Sequence, residues 1–119
     1  MNLNAVLKEM VDDIDDGLAG IIISRDGIAV QNYIKSERFS DTESFAVEYS
    51  MIVDCIKKSS DSLNIGSIDE VVISASNFTT LIRLINQDYF ILLVIGSDAL
   101  AGRAKFILKN TADRIAKEF

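Results

Sequence analysis

Two continuous apolar runs constrain the fold of this chain more than any other feature of its sequence. They are Ile21–Ile23 and Phe90–Ile95, and neither alternates with polar residues. A strand that is covered by helices on both faces loses the polar alternation of a half-exposed strand. The two runs therefore predict the central strands of a sheet with helices on both faces, whereas Gln31 and Asn32 mark a more peripheral strand.

The other segments predict an order of α-β-β-α-β-β-β-α. Helical spacing of apolar residues indicates a first helix over 3–14 and a last helix from Ser97 or Asp98 onward. The segment Ser40–Glu43 fits a capping box that opens a long helix to about residue 62. An Asp-Gly turn at Asp26 and Gly27 pairs the first two strands, and strands over 71–75, 79–85 and 89–95 form a meander. With the apolar strands in the middle, the sheet order is 2-1-5-4-3, largely antiparallel, in an α+β fold of three α/β/α layers.

Composition excludes several classes of function. The 119 residues include one Cys and no His, so a Cys/His zinc site, a Ser-His-Asp triad, a Cys-His dyad and an intrachain disulfide are ruled out. The six glycines form neither of the phosphate-binding glycine motifs. We therefore expect no catalytic residues, no cofactor and no metal, and a protein that is not an enzyme.

The charge and the run lengths limit the partners. A formal charge of −6 argues against binding to duplex nucleic acid, whose affinity depends on neutralising phosphates. The longest apolar run, 89–96, is far shorter than the roughly 20 residues of a membrane span, and no secretory signal is recognisable. We expect a cytoplasmic protein with protein or small-molecule partners.

Acidic residues cluster between positions 12 and 16. A calcium loop of the EF-hand type would need oxygen ligands where Ile14 and Ile23 stand, so that motif fails. Residues 1–16 carry one base and five acids, and residues 103–119 carry five bases and two acids. The first and last helices are therefore expected to lie side by side and to complement each other in charge.

The long helix and the third strand both predict a partner surface. A second apolar row of the helix, Val47, Met51 and Cys55 at i, i+4 and i+8, remains uncovered unless a neighbouring loop covers it. A broad apolar stripe of the helix is assigned to the sheet, and its residues are Phe45, Ala46, Tyr49, Ile52, Val53 and Ile56. The third strand is an edge without Lys or Pro to discourage pairing. A twofold dimer explains both features, with Cys55 as a small apolar contact rather than a redox group. The predicted dimer residues are Val47, Met51, Cys55, Val71, Val72, Ile73 and Ser74.

Three segments resemble the roadblock / dynein light-chain domain family, including its MglB-type members. They are the strand-turn-strand 21–28, the end of the long helix at 63–66 and the start of the last helix at 101–103. The resemblance covers nearly the whole chain and implies one roadblock-type domain over 1–119. We attribute Gly102 to a close approach between the last helix and the sheet.

The resemblance implies a profilin-like fold, dimers built through the second helix and third strand, and a platform that binds Ras-like small GTPases and regulates their nucleotide cycle. The dimer would be a homodimer or would pair with a paralogue. The GTPase-facing surface would be the exposed side of the long helices: Val47, Ser50, Met51, Asp54 and Lys58. The alternatives are a structural adaptor with no effect on GTP hydrolysis and a small-ligand sensor.

Overall fold

The computed structural model describes all 119 residues, and every predicted helix and strand is present. The elements are α1 (Leu3–Asp12), β1 (Gly17–Ser24), β2 (Ala29–Ile34), α2 (Thr42–Leu63), β3 (Glu70–Ser74), β4 (Phe78–Leu84), β5 (Tyr89–Gly96) and α3 (Ala101–Ala116), with a short 3-10 turn at Glu37–Phe39. The sheet order is β2-β1-β5-β4-β3, and all neighbours are antiparallel. The predicted topology is confirmed.

Helices cover the two faces of the sheet unequally. Helices α1 and α3 pack on one face, where Ile22, Ile91 and Leu93 are buried beneath them. Helix α2 covers the other face, over Ile21 and Leu92. The central strands β1 and β5 are buried almost throughout, as their continuous apolar sequences predict. One sheet face therefore carries two helices and the other carries one, which leaves room beside α2.

The helix ends differ from the predicted ones. Helix α2 is capped by Asp41 rather than Ser40, because the Asp41 side chain accepts a hydrogen bond from the Ser44 backbone N–H at 3.1 Å. Helix α3 begins at Ala101, and its N-cap residue Leu100 makes no side-chain capping bond. The predicted start at Ser40 is thus wrong by one residue, because neighbouring polar residues can each cap a helix. The predicted start at Ser97 or Asp98 is wrong by several residues, and the observed N-cap is an apolar residue.

Two glycines show different reasons for lacking a side chain. Gly27 has a φ of +84°, which the Asp-Gly turn requires, and an added Cβ would lie 3.1 Å from the Ser50 Oγ. Gly102 is exposed, and an added Cβ would meet nothing within 4 Å. The predicted close approach of Gly102 to the sheet is therefore wrong, and this glycine serves no contact within the chain.

Helices α1 and α3 lie side by side as predicted, but few of their charges pair. Arg114 lies 3.2 Å from Glu9, and the N-terminal amine lies 3.3 Å from Glu118. Asp12 contacts Lys8 and Lys35 instead of α3. Charge complementarity between the two helices thus accounts for only one base of α3, Arg114, which pairs with an acid of α1. None of the helices combines the length and apolar character needed to cross a membrane.

Candidate functional site

Helix α2 presents two different flanks to its surroundings. The Tyr49 hydroxyl lies 3.1 Å from the Thr80 Oγ1 on β4, so the flank that carries Tyr49 faces β4 and β3. On the opposite flank, Val47 and Ser50 lie beside the β1–β2 turn, where a Cβ added at Gly27 would be 3.1 Å from the Ser50 Oγ and 3.5 Å from the Val47 Cα. Ala46 and Val53, between the flanks, are buried against the sheet. The orientation of the helix is set by these contacts.

The flank that faces β3 is apolar and incompletely covered. Tyr49, Phe45 and Ile56 are half-buried, and Ile52 is 37% exposed. The predicted packing of this whole stripe on the sheet is therefore wrong at Ile52. Across the gap, Val71 and Ile73 of β3 are also only half-buried, because no second helix covers this part of the sheet. We call the surface formed by Phe45, Tyr49, Ile52, Ile56, Val71 and Ile73 the apolar strip.

Strand β3 forms an open edge beside the apolar strip. It pairs only with β4, so its outer backbone N–H and C=O groups have no partner strand. Val72 and Ser74 point to the opposite face from Val71 and Ile73, by the alternation of strand side chains. The one ion pair at this edge joins Glu70 to Arg83, its direct neighbour on β4, at 3.4 Å. Edges without blocking charges or prolines are prone to pair with another strand.

The predicted row of Val47, Met51 and Cys55 lies on the solvent side of α2. Val47 is 48% exposed, Met51 is 62% exposed and Cys55 is exposed. At 100° per residue this row points away from the sheet, and it borders the apolar strip only at Cys55. No loop covers the row, contrary to the alternative that a neighbouring segment shields it.

The predicted GTPase-facing residues separate into two groups. Asp54 and Lys58 are exposed and form an i,i+4 ion pair at 3.0 Å, which raises the pKa of Lys58 through a hydrogen bond and charge attraction. Ser50 is only 9% exposed, and its hydroxyl donates to the Val47 carbonyl oxygen at 2.8 Å. The expectation that Ser50 lies on the exposed side is therefore wrong. With Val47 and Met51, the ion pair forms a surface that we call the outward face of α2.

A cleft of about 680 Å³ lies beside the C-terminal half of α2, and sequence reasoning missed it. Its walls come from α2, residues 67–69, the β4–β5 turn and Arg25. Lys57 reaches across it and donates to the Gln87 carbonyl oxygen at 3.1 Å. Two basic and three acidic side chains line the cleft, namely Arg25, Lys57, Asp54, Asp61 and Asp69. No single sequence segment signals the cleft because its walls come from distant parts of the chain.

No group of three or more Cys, Asp or Glu is placed to hold a metal ion. The chemistry that the surfaces of α2 and β3 support is association, through apolar contact, strand pairing and exposed charge.

Comparison with known proteins identifies the fold through structure rather than sequence. No protein-family model and no curated protein sequence matches the chain. A roadblock/LC7 domain from Streptomyces avermitilis aligns with a TM-score of 0.88 at 11% identity, over 99% of this chain and 98% of that chain. MglB of Myxococcus xanthus aligns with a TM-score of 0.91 at 13% identity, over 100% and 95% of the two chains. MglC of Myxococcus xanthus is 27% identical over the full length of both chains, with a TM-score of 0.72.

The profilin-like character of the fold is also confirmed. A profilin from Schizosaccharomyces pombe aligns with a TM-score of 0.66 at 14% identity, over 98% of each chain. At these identities the resemblance establishes the architecture, and function has to be argued from the surfaces. The chain therefore has the fold of the roadblock/LC7 domains, in the form found in MglB.

Proposed function

We propose that this chain is a non-catalytic, dimeric platform that binds a Ras-like small GTPase and regulates its nucleotide cycle. The observation that carries the proposal is the open edge of β3 lying directly beside the apolar strip. A twofold axis at this edge would pair β3 with its copy and place the two α2 helices side by side. A single dimer contact would thereby cover both the open edge of β3 and the apolar strip.

The geometry supports a division of α2 between two partners. In such a dimer the apolar strip faces the second copy, together with the backbone of Val71–Ser74 and the border residue Cys55. The outward face, with Val47, Met51, Asp54 and Lys58, stays accessible and forms the GTPase-binding surface. Of the residues predicted for the dimer, Cys55 and the strand residues stay in the dimer contact. Val47 and Met51, predicted for both surfaces, belong in this proposal to the GTPase-facing surface alone.

Two adjacent residues of α2 test this division. Ile52 and Met51 are both exposed in the single chain, so an aspartate at either position leaves the core intact. Ile52→Asp would bury a charge in the apolar strip of the dimer. We expect a cost of about 3 kcal/mol, or about a hundredfold in the dimer dissociation constant. Met51→Asp is the matched control, which keeps the dimer and weakens GTPase binding.

The measurement is solution mass by light scattering after size-exclusion chromatography, at two concentrations. The parent chain and Met51→Asp are expected at twice 13.1 kDa, and Ile52→Asp near 13.1 kDa at the lower concentration. Dissociation by Met51→Asp but not by Ile52→Asp would instead make the outward row the dimer contact. A monomeric parent chain would remove the homodimer and favour pairing with a paralogue.

The GTPase part of the proposal is tested separately from the dimer. Purified Ras-like GTPases from the same organism are titrated with the chain in their GDP-bound and GTP-bound forms, and phosphate release is followed. Faster hydrolysis supports an activator, and binding without a rate change supports the adaptor alternative. Absence of binding to every GTPase would refute the platform. We propose that this activity is cytoplasmic, because the cytoplasm keeps an unpaired thiol such as that of Cys55 reduced.

The cleft beside α2 favours a second candidate function, a small-ligand sensor. Its volume falls within the range of known ligand sites, and it offers both apolar floor residues and charged walls. A ligand that binds only the folded chain raises its melting temperature by mass action. Screening metabolites by thermal unfolding would support this function if a shift disappears in Lys57→Ala.

A further inference from the structure

The outward side of α3 is basic on a chain that is acidic overall. The formal net charge is −6, yet five bases of α3 and its C-cap are exposed: Arg103, Lys105, Lys109, Arg114 and the C-cap residue Lys117. This helix lies across the sheet from α2, so its surface is separate from the proposed GTPase platform.

Pairing within the chain leaves most of these bases free. Arg114 contacts Glu9 of α1, and the other four bases have no ion pair within 4.0 Å. Asp113 stands four residues from both Lys109 and Lys117 on the same side, and it pairs with neither. Arg103 lines a small pocket with Asp15, Asp16 and Asp98, although none of these carboxylates lies within 4.0 Å of it. Lys105, Lys109 and Lys117 therefore carry most of the positive charge that is available to a partner.

An exposed aromatic ring lies within the basic surface. Phe106 is 65% exposed, with Arg103 and Lys109 three residues away on either side. Gly102 lies one turn earlier, and apart from its two chain neighbours and the backbone of its own helix, no atom comes within 4 Å of where its Cβ would be. Glycine is among the least favourable residues inside a helix, and no contact within the chain requires a glycine at this position. The missing side chain at Gly102 leaves open space one turn from the exposed ring of Phe106, which a side chain of a partner can occupy.

We propose that Gly102, Arg103, Lys105, Phe106 and Lys109 form a docking surface for an acidic segment of a protein partner. The partner would supply carboxylates to the bases and one large apolar side chain that packs on Phe106 over Gly102. The proposal is independent of the GTPase platform, and both partners can bind at once because they use opposite faces.

Two other occupants fit the charges less well. A second copy docked by a twofold axis along α3 would bring two basic helices together. An anionic membrane laid on this layer would also meet α1, whose exposed Glu9, Asp12 and Asp13 oppose it. A narrow acidic segment that follows α3 avoids both conflicts.

The test uses the full chain, labelled with ¹⁵N, and a short synthetic peptide of glutamates around a central leucine. We expect saturable shifts of the amides of residues 102–109, weakening as salt rises. The same peptide with glutamine in place of glutamate should bind much more weakly. Shifts that map elsewhere, or that are insensitive to salt, would overturn the proposal.

Variants separate the ring from the charge. Phe106→Ala should weaken peptide binding about tenfold, since exposed aromatic side chains commonly dominate such contacts. Lys109→Glu should weaken it about five- to tenfold. Arg38→Glu changes an exposed base outside α3 that has no ion pair, and as the control it should bind as the parent does. Equal affinity of all variants would overturn the proposal.

Vesicles of phosphatidylcholine with about one third phosphatidylserine distinguish a lipid surface from a protein partner. We expect no co-sedimentation of the chain with these vesicles. Sedimentation that depends on Phe106, together with no peptide binding, would assign the surface to membranes and overturn the proposal as stated. Because none of these assays involves a GTPase, their failure leaves the platform unaffected.

Discussion

Substituting the two glycines Gly102 and Gly27 by alanine should change stability in opposite directions. At Gly102 the backbone is helical and the added Cβ meets nothing within 4 Å. Only the helix preference changes, so Gly102→Ala should stabilise the fold by about 0.5–1 kcal/mol. At Gly27 the φ of +84° disfavours an L-residue by about 1–2 kcal/mol. The Cβ would also lie 3.1 Å from the Ser50 Oγ, so Gly27→Ala should destabilise by about 2 kcal/mol.

The assay is urea unfolding followed by circular dichroism, at one fixed protein concentration because a dimer's stability depends on it. With an unchanged slope, the midpoint should rise for Gly102→Ala and fall for Gly27→Ala. A destabilised Gly102→Ala would show that this glycine is needed within the chain or its dimer, and would refute the reasoning that reserves it for a partner. An unchanged Gly27→Ala would show that the turn can adopt another conformation.

Two further substitutions test the packing of the central strand β5 and the N-cap of α2. Leu93→Ala removes a fully buried side chain of the central strand β5 and should cost about 2–5 kcal/mol, measured by the same unfolding assay, whereas a cost below 1 kcal/mol would contradict the assigned packing. Hydrogen bonds from Ser44 hold the pKa of Asp41 below its ordinary value of 3.8, so the folded state binds fewer protons and this stabilisation is present above that value. This stabilisation should be lost as pH falls through the folded-state pKa. Asp41→Asn keeps an N-cap residue but cannot titrate, so its free energy of unfolding should fall less than that of the parent between about pH 5 and pH 2. Identical acid profiles would contradict the role of the Asp41 carboxylate.

The outward row of α2 shows where sequence reasoning reached its limit. Periodicity correctly separated Val47, Met51 and Cys55 from the residues that pack on the sheet, because exposure follows the helical repeat. It did not show which flank faces β3, since that depends on the Tyr49 and Gly27 contacts across the fold. The sequence pattern therefore predicts a buried Ile52 and an exposed Ser50, and both predictions are wrong. Their exposure depends on how far the sheet extends beneath each side of the helix.

The strand order and the layers of this protein follow from its sequence pattern alone. Continuous apolar runs select the central strands, and short turns leave few ways to connect the others. Three features become visible only in the folded chain: the open space around Gly102, the four unpaired bases of α3 and its C-cap, and the cleft beside α2. Preferences for helix, strand and turn depend on residues that are close in the chain, so the sequence pattern reveals them. Surfaces are made by residues that meet only after folding, and their exposure and pairing depend on distances that no sequence pattern contains.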